Sequence, residues 1–258
     1  MSDHQLPITD HRLPFTDYRS PISNQLTKLL FYQPDIDLGS LYLSEDESRH
    51  VVKVLRSENG DVLELTNGKG SFFKVRITKA DPRKCLFEIV ERKDNPGKSF
   101  SIHIAIAPTK NADRIEWFVE KAVEIGIDKI SFMLCQTSER KSINLERIEK
   151  IAVSAMKQSG QCWLPELVGL NPMKEVITAK ASQKFIAYVD QSNPHHLKSL
   201  AKPDQDYLVL IGPEGDFSKE ELLSAEQAGF SKVSLGATRL RTETAGVAAC
   251  HILSLINS

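Results

Sequence analysis

The chain predicts an α/β fold: a mostly parallel sheet covered by helices on both faces, preceded by a small β-barrel. Three observations lead there. Beyond Asn95-Pro96-Gly97, apolar runs of strand length alternate with amphipathic stretches of helix length. Residues 28–96 instead hold short segments in which apolar and polar residues alternate. Near the C-terminus, two glycine-bearing loops each join a strand to a helix, which is how such sheets build pockets from backbone amides and carbonyls.

The elements follow in chain order. Residues 1–27 carry a short repeat, Leu6-Pro-Ile-Thr-Asp-His-Arg12 and Leu13-Pro-Phe-Thr-Asp-Tyr-Arg19, with a decayed copy from Ser20. A helix interior rejects the proline in each copy, and units this short bury no core, so the stretch reads as a disordered extension. In 28–96, Asp61–Thr66, Phe72–Thr78 and Cys85–Val90 alternate as half-buried strands do, with Asn59-Gly60 and Asn67-Gly68 as turn dipeptides. Lys53, Arg56, Lys69, Lys74, Arg76, Lys79, Arg83 and Lys84 allow this unit one basic face, although any one of them also fits an ordinary solvated surface.

The α/β unit spans 99–258. Its expected elements are a strand at Ile102–Ala107, a helix at Ala112–Ile125 closed by Gly126, a strand at Lys129–Leu134 and a helix at Asn144–Ser159. Strands at Lys184–Val189, Tyr207–Gly212 and Lys232–Gly236 follow. Ser218 with Glu221 is a capping box, Gly229 stands where a C′ glycine ends that helix, and Thr242 with Glu243 opens the last one.

Composition narrows the function. With 258 residues and a net charge of −1, no global field marks a nucleic-acid partner, so any RNA contact must be a local patch. No apolar run reaches membrane-spanning length. Cys85, Cys135, Cys162 and Cys250 are scattered without CxxC pairing, which suits a reducing cytoplasm, and the seven histidines show no metal-ligand spacing, so no metal is expected. There is no GxxxxGK[ST] loop and no GxSxG elbow, and Gly68-Lys69-Gly70 lacks the third glycine of a dinucleotide fingerprint, which argues against a nicotinamide enzyme.

A resemblance sharpens the reading. It is carried by Ala107-Pro108-Thr109-Lys110, Asp113-Arg114-Ile115-Glu116, Glu120-Lys121-Ala122 through Gly126, Thr137-Ser138-Glu139-Arg140, and Lys157-Gln158-Ser159-Gly160-Gln161 with Pro165-Glu166. Ile211-Gly212-Pro213-Glu214-Gly215-Asp216-Phe217-Ser218, Leu235-Gly236, Leu240-Arg241-Thr242-Glu243-Thr244-Ala245 and, earlier, His50 to Arg56 with Gly60 add to it. From about Leu30 onward the chain resembles the bacterial 16S ribosomal RNA uracil-N3 methyltransferases of the SPOUT class. The resemblance implies a SPOUT-type parallel sheet with a C-terminal trefoil knot, a PUA-like RNA-binding barrel before it, and a homodimer. It implies S-adenosyl-L-methionine as methyl donor and a uridine in 16S rRNA, within the small ribosomal subunit, as acceptor. Two departures stand out: Asp216 replaces a frequent second glycine, and Ala237-Thr238-Arg239 replaces a form of that loop bearing proline and isoleucine.

Carried over residue by residue, Ile211, Gly212, Glu214, Gly215, Leu235, Gly236, Leu240, Arg241 and Thr242 would hold the donor, although Gly212 and Gly215 could serve the turn alone. Arg241, Glu243 and Arg114 are the catalytic candidates. Glu243 would orient the donor or accept the N3 proton, or with Thr242 simply cap the helix; Arg114 would stabilise the uracil anion or grip phosphate. His50, Lys53, Arg56, Lys157 and Gln158 are the RNA-binding candidates, the last two, with Gln161, equally suited to a partner subunit. Trp117, Phe118 and Trp163 read as core or dimer interface. Two other readings remain: a SPOUT methyltransferase with another RNA target, and a non-catalytic RNA-binding assembly factor.

Overall fold

A computed structural model describes residues 29–188 and 195–258. The repeat-bearing extension lies outside the described residues.

Two sheets organise the chain. The first has the order β1 (Leu30–Tyr32), β2 (Val62–Thr66), β3 (Ser71–Lys79), β4 (Leu86–Asp94). β1 runs parallel to β2, and the remaining pairs are antiparallel. Inward residues at every second position, Phe73, Val75 and Ile77 on β3, meet Phe31, Leu43, Leu65 and Phe87 in one small core. Residues 45–54 depart from the all-strand expectation for this segment. They form a helix, α1 (Glu45–Arg49), continued by a π-type turn at His50–Val54. The signal was present: the Ser44 hydroxyl accepts from Glu47 N at 3.3 Å, the first half of an Ser-x-x-Glu cap, and Ser48 and Val51 face inward behind it.

The second sheet has six strands, all paired in parallel, in the order β10-β8-β9-β5-β6-β7. In chain order these elements are β5 (Ser101–Ile106), α2 (Ala112–Ile125), β6 (Lys129–Leu134), α3 (Leu145–Gln158), β7 (Glu166–Pro172), α4 (Met173–Val176), β8 (Gln183–Ala187), α5 (Leu197–Leu200), β9 (Asp206–Ile211), α6 (Lys219–Gln227), β10 (Ser231–Val233) and α7 (Thr242–Leu255). Alternation along the strands sorts two cores onto the two faces. Ile102, Ile104, Ile106, Val209 and Ile211 pack under α2, α3 and α7, whereas Ala105, Ala107, Leu208 and Leu210 pack with Phe217, Leu222 and Met173 from the α4 and α6 side. Parallel strands must be joined by crossovers, and here helices cover both faces as that requires.

Caps fix the helix ends. Asn111 and Asn144 accept from Asp113 N and Arg147 N, and Gly126 ends α2 at φ 95°. Ser218 and Glu221 make both bonds of the capping box on α6.

The two sheets are stitched together. The β2–β3 hairpin pairs with residues 162–164, Gly70 N donating to Cys162 O at 2.8 Å and Leu164 N to Gly68 O at 2.9 Å. Trp163 lies over Gly70, where a Cβ would stand 2.2 Å from the indole ring. Its place is this joint, where it stays half-exposed, rather than a core.

Candidate active site

A cavity of about 540 Å³ opens at the carboxyl ends of β8, β9 and β10, within the range of small-molecule sites. Its walls are Ala187 and Tyr188 after β8, Ile211 to Glu214 with Asp216 after β9, and Val233 to Thr242 with Ala245 from β10 into α7. Of the nine residues expected to hold the donor, Ile211, Gly212, Glu214, Leu235, Gly236, Leu240, Arg241 and Thr242 lie in this wall. Gly215 does not: it turns against Thr137, whose Cβ would sit 3.0 Å from an added Cβ. Tyr188, Ser234 and the Ala237–Arg239 stretch are wall residues that sequence reasoning did not assign; the end of a third strand was the available signal.

The first loop is held by its own chemistry. At Gly212 the Phe217 ring packs so closely that a Cβ would come within 2.9 Å of it. Asp216 adopts the left-handed conformation, φ 64°, that a glycine reaches without strain. Asp is among the few residues that tolerate it, at a cost of roughly 1 kcal/mol. Asp216 offsets this locally: its Oδ1 accepts from Phe217 N at 2.9 Å, and its carbonyl accepts from Thr137 Oγ1 at 2.5 Å. Glu214 Oε1 accepts from Lys110 N at 3.1 Å, and the Arg140 guanidinium donates to the carbonyls of Thr109 and Lys110. The β5–α2 and β6–α3 loops therefore brace the wall from outside.

The second loop turns at Gly236, φ 149°, and enters α7. Thr242 does not cap the helix. Its hydroxyl donates to Gly212 O at 3.0 Å and ties α7 to the β9 loop, while Arg241 takes the N-cap position without a side-chain cap bond. The rim thus carries two carboxylates, Glu214 and Asp216, and two exposed guanidiniums, Arg239 and Arg241.

Glu243 and Arg114 meet beside the cavity, outside its wall. Glu243 is buried at 7% exposure, with Oε1 3.8 Å from Arg114 Nε; its Oε2 has no hydrogen-bond partner among the described residues. The approach is set by facing stripes. Gly246 on α7 lies against Phe118 of α2, where a Cβ would meet ring carbons at 2.6 and 2.7 Å. Glu243 and Gly246 share one helix face, as do Arg114 and Phe118, so closing one contact closes the other.

The RNA-binding candidates divide. Lys53 and Arg56 are exposed, Arg56 ending its helix at φ 59°. His50 sets its ring edge-on to Phe31 at 5.8 Å. Lys157 departs from expectation: its ammonium pairs with Glu47 at 2.6 Å and is drawn into the joint between the sheets. Gln161 likewise closes the end of α2 by donating to the carbonyls of Val123 and Glu124, leaving Gln158 as the exposed member of that cluster.

The cysteines offer no nucleophile near this site. All four are buried and free; burial pushes the Cys250 thiol up to about 12 and the Cys135 thiol higher still. Among the described residues no cluster of His, Cys, Asp and Glu could hold a metal ion, and no helix is long and apolar enough to cross a membrane.

Comparison with known proteins agrees with this geometry. Residues 96–254 match the family model described as an RNA methyltransferase domain, and residues 43–90 match an RNA methyltransferase PUA domain. The ribosomal RNA small subunit methyltransferase E of Buchnera aphidicola is 30% identical over 243 residues, covering 90% of this chain and 94% of that protein. The crystal structure of a probable rRNA-methyltransferase from Porphyromonas gingivalis superposes with a TM-score of 0.82 at 46% identity, covering 88% of this chain and 98% of that one. The ribosomal RNA small subunit methyltransferase E of Neisseria gonorrhoeae, solved bound to S-adenosyl methionine, gives a TM-score of 0.78 at 26% identity, covering 88% and 97%.

Proposed function

The chain belongs to the ribosomal RNA small subunit methyltransferase E family, and on that premise we propose that it methylates N3 of a uridine in 16S rRNA, giving 3-methyluridine. The observation that carries this reading is the cavity at the strand ends, walled by backbone and apolar side chains beneath a charged rim and closed between β9 and α7 by Thr242.

The cavity fits S-adenosylmethionine. Ile211, Val233, Leu235 and Leu240 offer an apolar slot for an adenine ring, and the bare backbone at Gly212 and Gly236 admits close approach. Glu214 and Asp216 stand where a cationic ligand would be favoured, and Arg239 and Arg241 where a carboxylate would. When bound, S-adenosylmethionine supplies the methyl group on a sulfonium. The residues of this chain position the acceptor and stabilise the charge that develops on it. N3 lies on the pairing edge of uracil, so the target base must be unpaired or turned out of its helix before it is reached.

In this proposal the PUA domain grips RNA through Lys53 and Arg56, its strands closing as a barrel, and the C-terminal segment threads as a trefoil knot. The chain pairs as a homodimer in the cytoplasm, and its substrate is the small ribosomal subunit. The test is to incubate the protein with S-adenosylmethionine and small subunits lacking the modification, digest the RNA, and identify the methylated nucleoside by mass spectrometry. 3-Methyluridine is expected. Another methylated nucleoside would move the target, and no S-adenosylmethionine binding would favour a non-catalytic assembly factor.

A further inference from the structure

We infer that the Glu243 carboxylate accepts the N3 proton of the target uracil and, with Arg114, reads its imide edge. The inference rests on the uridine reading above.

An ionised carboxylate oxygen that is buried without a donor is costly to keep, and such groups persist where function uses them. Oε2 of Glu243 is in that position: the residue is 7% exposed, and among the described residues no group donates to that oxygen. Its neighbours in sequence, Thr242 and Ala245, face the cavity, which puts the carboxylate at the edge of the donor site rather than inside it. The amino ends of α2 and α7 converge there, and both favour the anion.

The charged surroundings are sparse. From α2, Arg114 faces Glu243, while Glu116 pairs with Arg147, and Lys121 pairs with Glu120 and Glu124. On β5, His103 contacts Ser131, and on β9 the titratable residues Asp206 and Tyr207 stand at the amino end, far from the start of α7. Lys198 is the charged residue of α5 and is exposed; Arg241 at the N-cap of α7 and His251 within it are exposed, and the Cys250 thiol of α7 is buried two turns on from Glu243.

The imide edge of uracil presents one N–H between two carbonyl oxygens. A free carboxylate oxygen beside a guanidinium supplies the complementary acceptor and donor. Cytosine would set an unprotonated ring nitrogen against the carboxylate, acceptor facing acceptor, and would be refused. In the proton step the N3–H bond breaks, its electron pair stays on the ring nitrogen, and the proton forms the O–H bond at Oε2. The resulting carboxylic acid then returns its proton to water past Arg114, which is 38% exposed.

The experiment compares wild type, Glu243→Gln and Glu243→Asp on small ribosomal subunits lacking the modification. It measures kcat from about pH 6 to 9 together with S-adenosylmethionine affinity by calorimetry. Wild-type kcat is expected to be flat with pH above its acid limb. Glu243→Gln is expected to bind S-adenosylmethionine as wild type does, to turn over at least about 100-fold more slowly, and to gain about tenfold in rate per pH unit as hydroxide replaces the missing base. Glu243→Asp, a carboxylate set back by one methylene, should keep the flat profile at a rate lowered at least about tenfold, and it serves if the amide variant does not fold. Wild-type kcat and pH profile in the variants would overturn the inference. A wild-type protein that makes no 3-methyluridine would instead overturn the uridine reading on which it stands.

Discussion

Replacing Gly246 with alanine probes how α7 is seated. The added Cβ would lie 2.6 and 2.7 Å from two ring carbons of Phe118 and 3.0 Å from Cδ1 of Ile106, and both side chains are fully buried with no room to swing aside. Restoring ordinary contacts of about 3.5 Å asks α7 to retreat by roughly 1 Å. Overpacking of this kind costs about 1–3 kcal/mol, and two rigid aromatic contacts put it near the upper end. Alanine returns about 1 kcal/mol through helix propensity, leaving a net loss of about 2 kcal/mol. For a chain of this size that lowers the melting temperature by roughly 4–8 °C. The same retreat opens the 3.8 Å separation between Arg114 and Glu243 and shifts the α7 part of the cavity wall, so turnover should fall by up to about 100-fold. Urea unfolding and the methylation rate read the two effects separately. Adding Phe118→Leu should recover part of the stability, with a coupling above about 0.5 kcal/mol in the double-mutant cycle. A Gly246→Ala protein as stable as wild type would refute the close-packing argument.

Three further outcomes are expected. Arg241→Ala, which removes an exposed guanidinium from the cavity rim, should cut turnover at least about tenfold without moving the urea midpoint; unchanged kinetics would remove Arg241 from the site. Charge reversal at Lys53 and Arg56 together should weaken RNA binding and flatten its salt dependence while S-adenosylmethionine affinity stays intact; an unaltered salt slope would count against that surface. His103 is half-buried against Ser131 with Lys129 nearby, and desolvation first, then that lysine, lowers its pKa from 6.5 to about 4. The folded state therefore binds the proton less readily than the unfolded one, so this contribution is complete above about pH 6.5 and is lost as pH falls towards 4, by about 3 kcal/mol in all. His103→Gln should flatten that part of the stability curve, and an unchanged slope would exclude His103 as its source.

The elements most legible in the sequence were those whose ends are written in side-chain chemistry. α2 and α3 fall where Asn111 with Gly126 and Asn144 with Ser159 place their caps, and the Ser218–Glu221 box sets the start of α6. Less was legible where pairing rather than pattern makes the element. β1 is three residues long and exists through its parallel partner β2. β7 contains Gly169 and ends at Pro172, and it is tolerated because it lies at the sheet edge. Most of the cavity wall was foreseen because loops at parallel-strand ends are where such sheets bind ligands. The destinations of single side chains were not, since the turn of Gly215 toward Thr137, the capture of Lys157 by Glu47 and the orphaned oxygen of Glu243 depend on neighbours distant in sequence.

The strand order also dictates a folding schedule. β5 sits at the centre of its sheet, yet one of its two neighbours, β9, comes about a hundred residues later, with Ser101 pairing Asp206. During synthesis β5 can zip onto β6 early, but its other edge stays open until β9 has emerged. That edge, Ile102-His103-Ile104-Ala105-Ile106, is apolar enough to invite a wrong partner, and slow translation through the intervening stretch would prolong the hazard. The cavity is a late product of the same order, since every residue of its wall lies between Ala187 and Ala245. A nascent chain therefore gains its ligand pocket after its central sheet has closed, and ligand binding reports that assembly has run to completion.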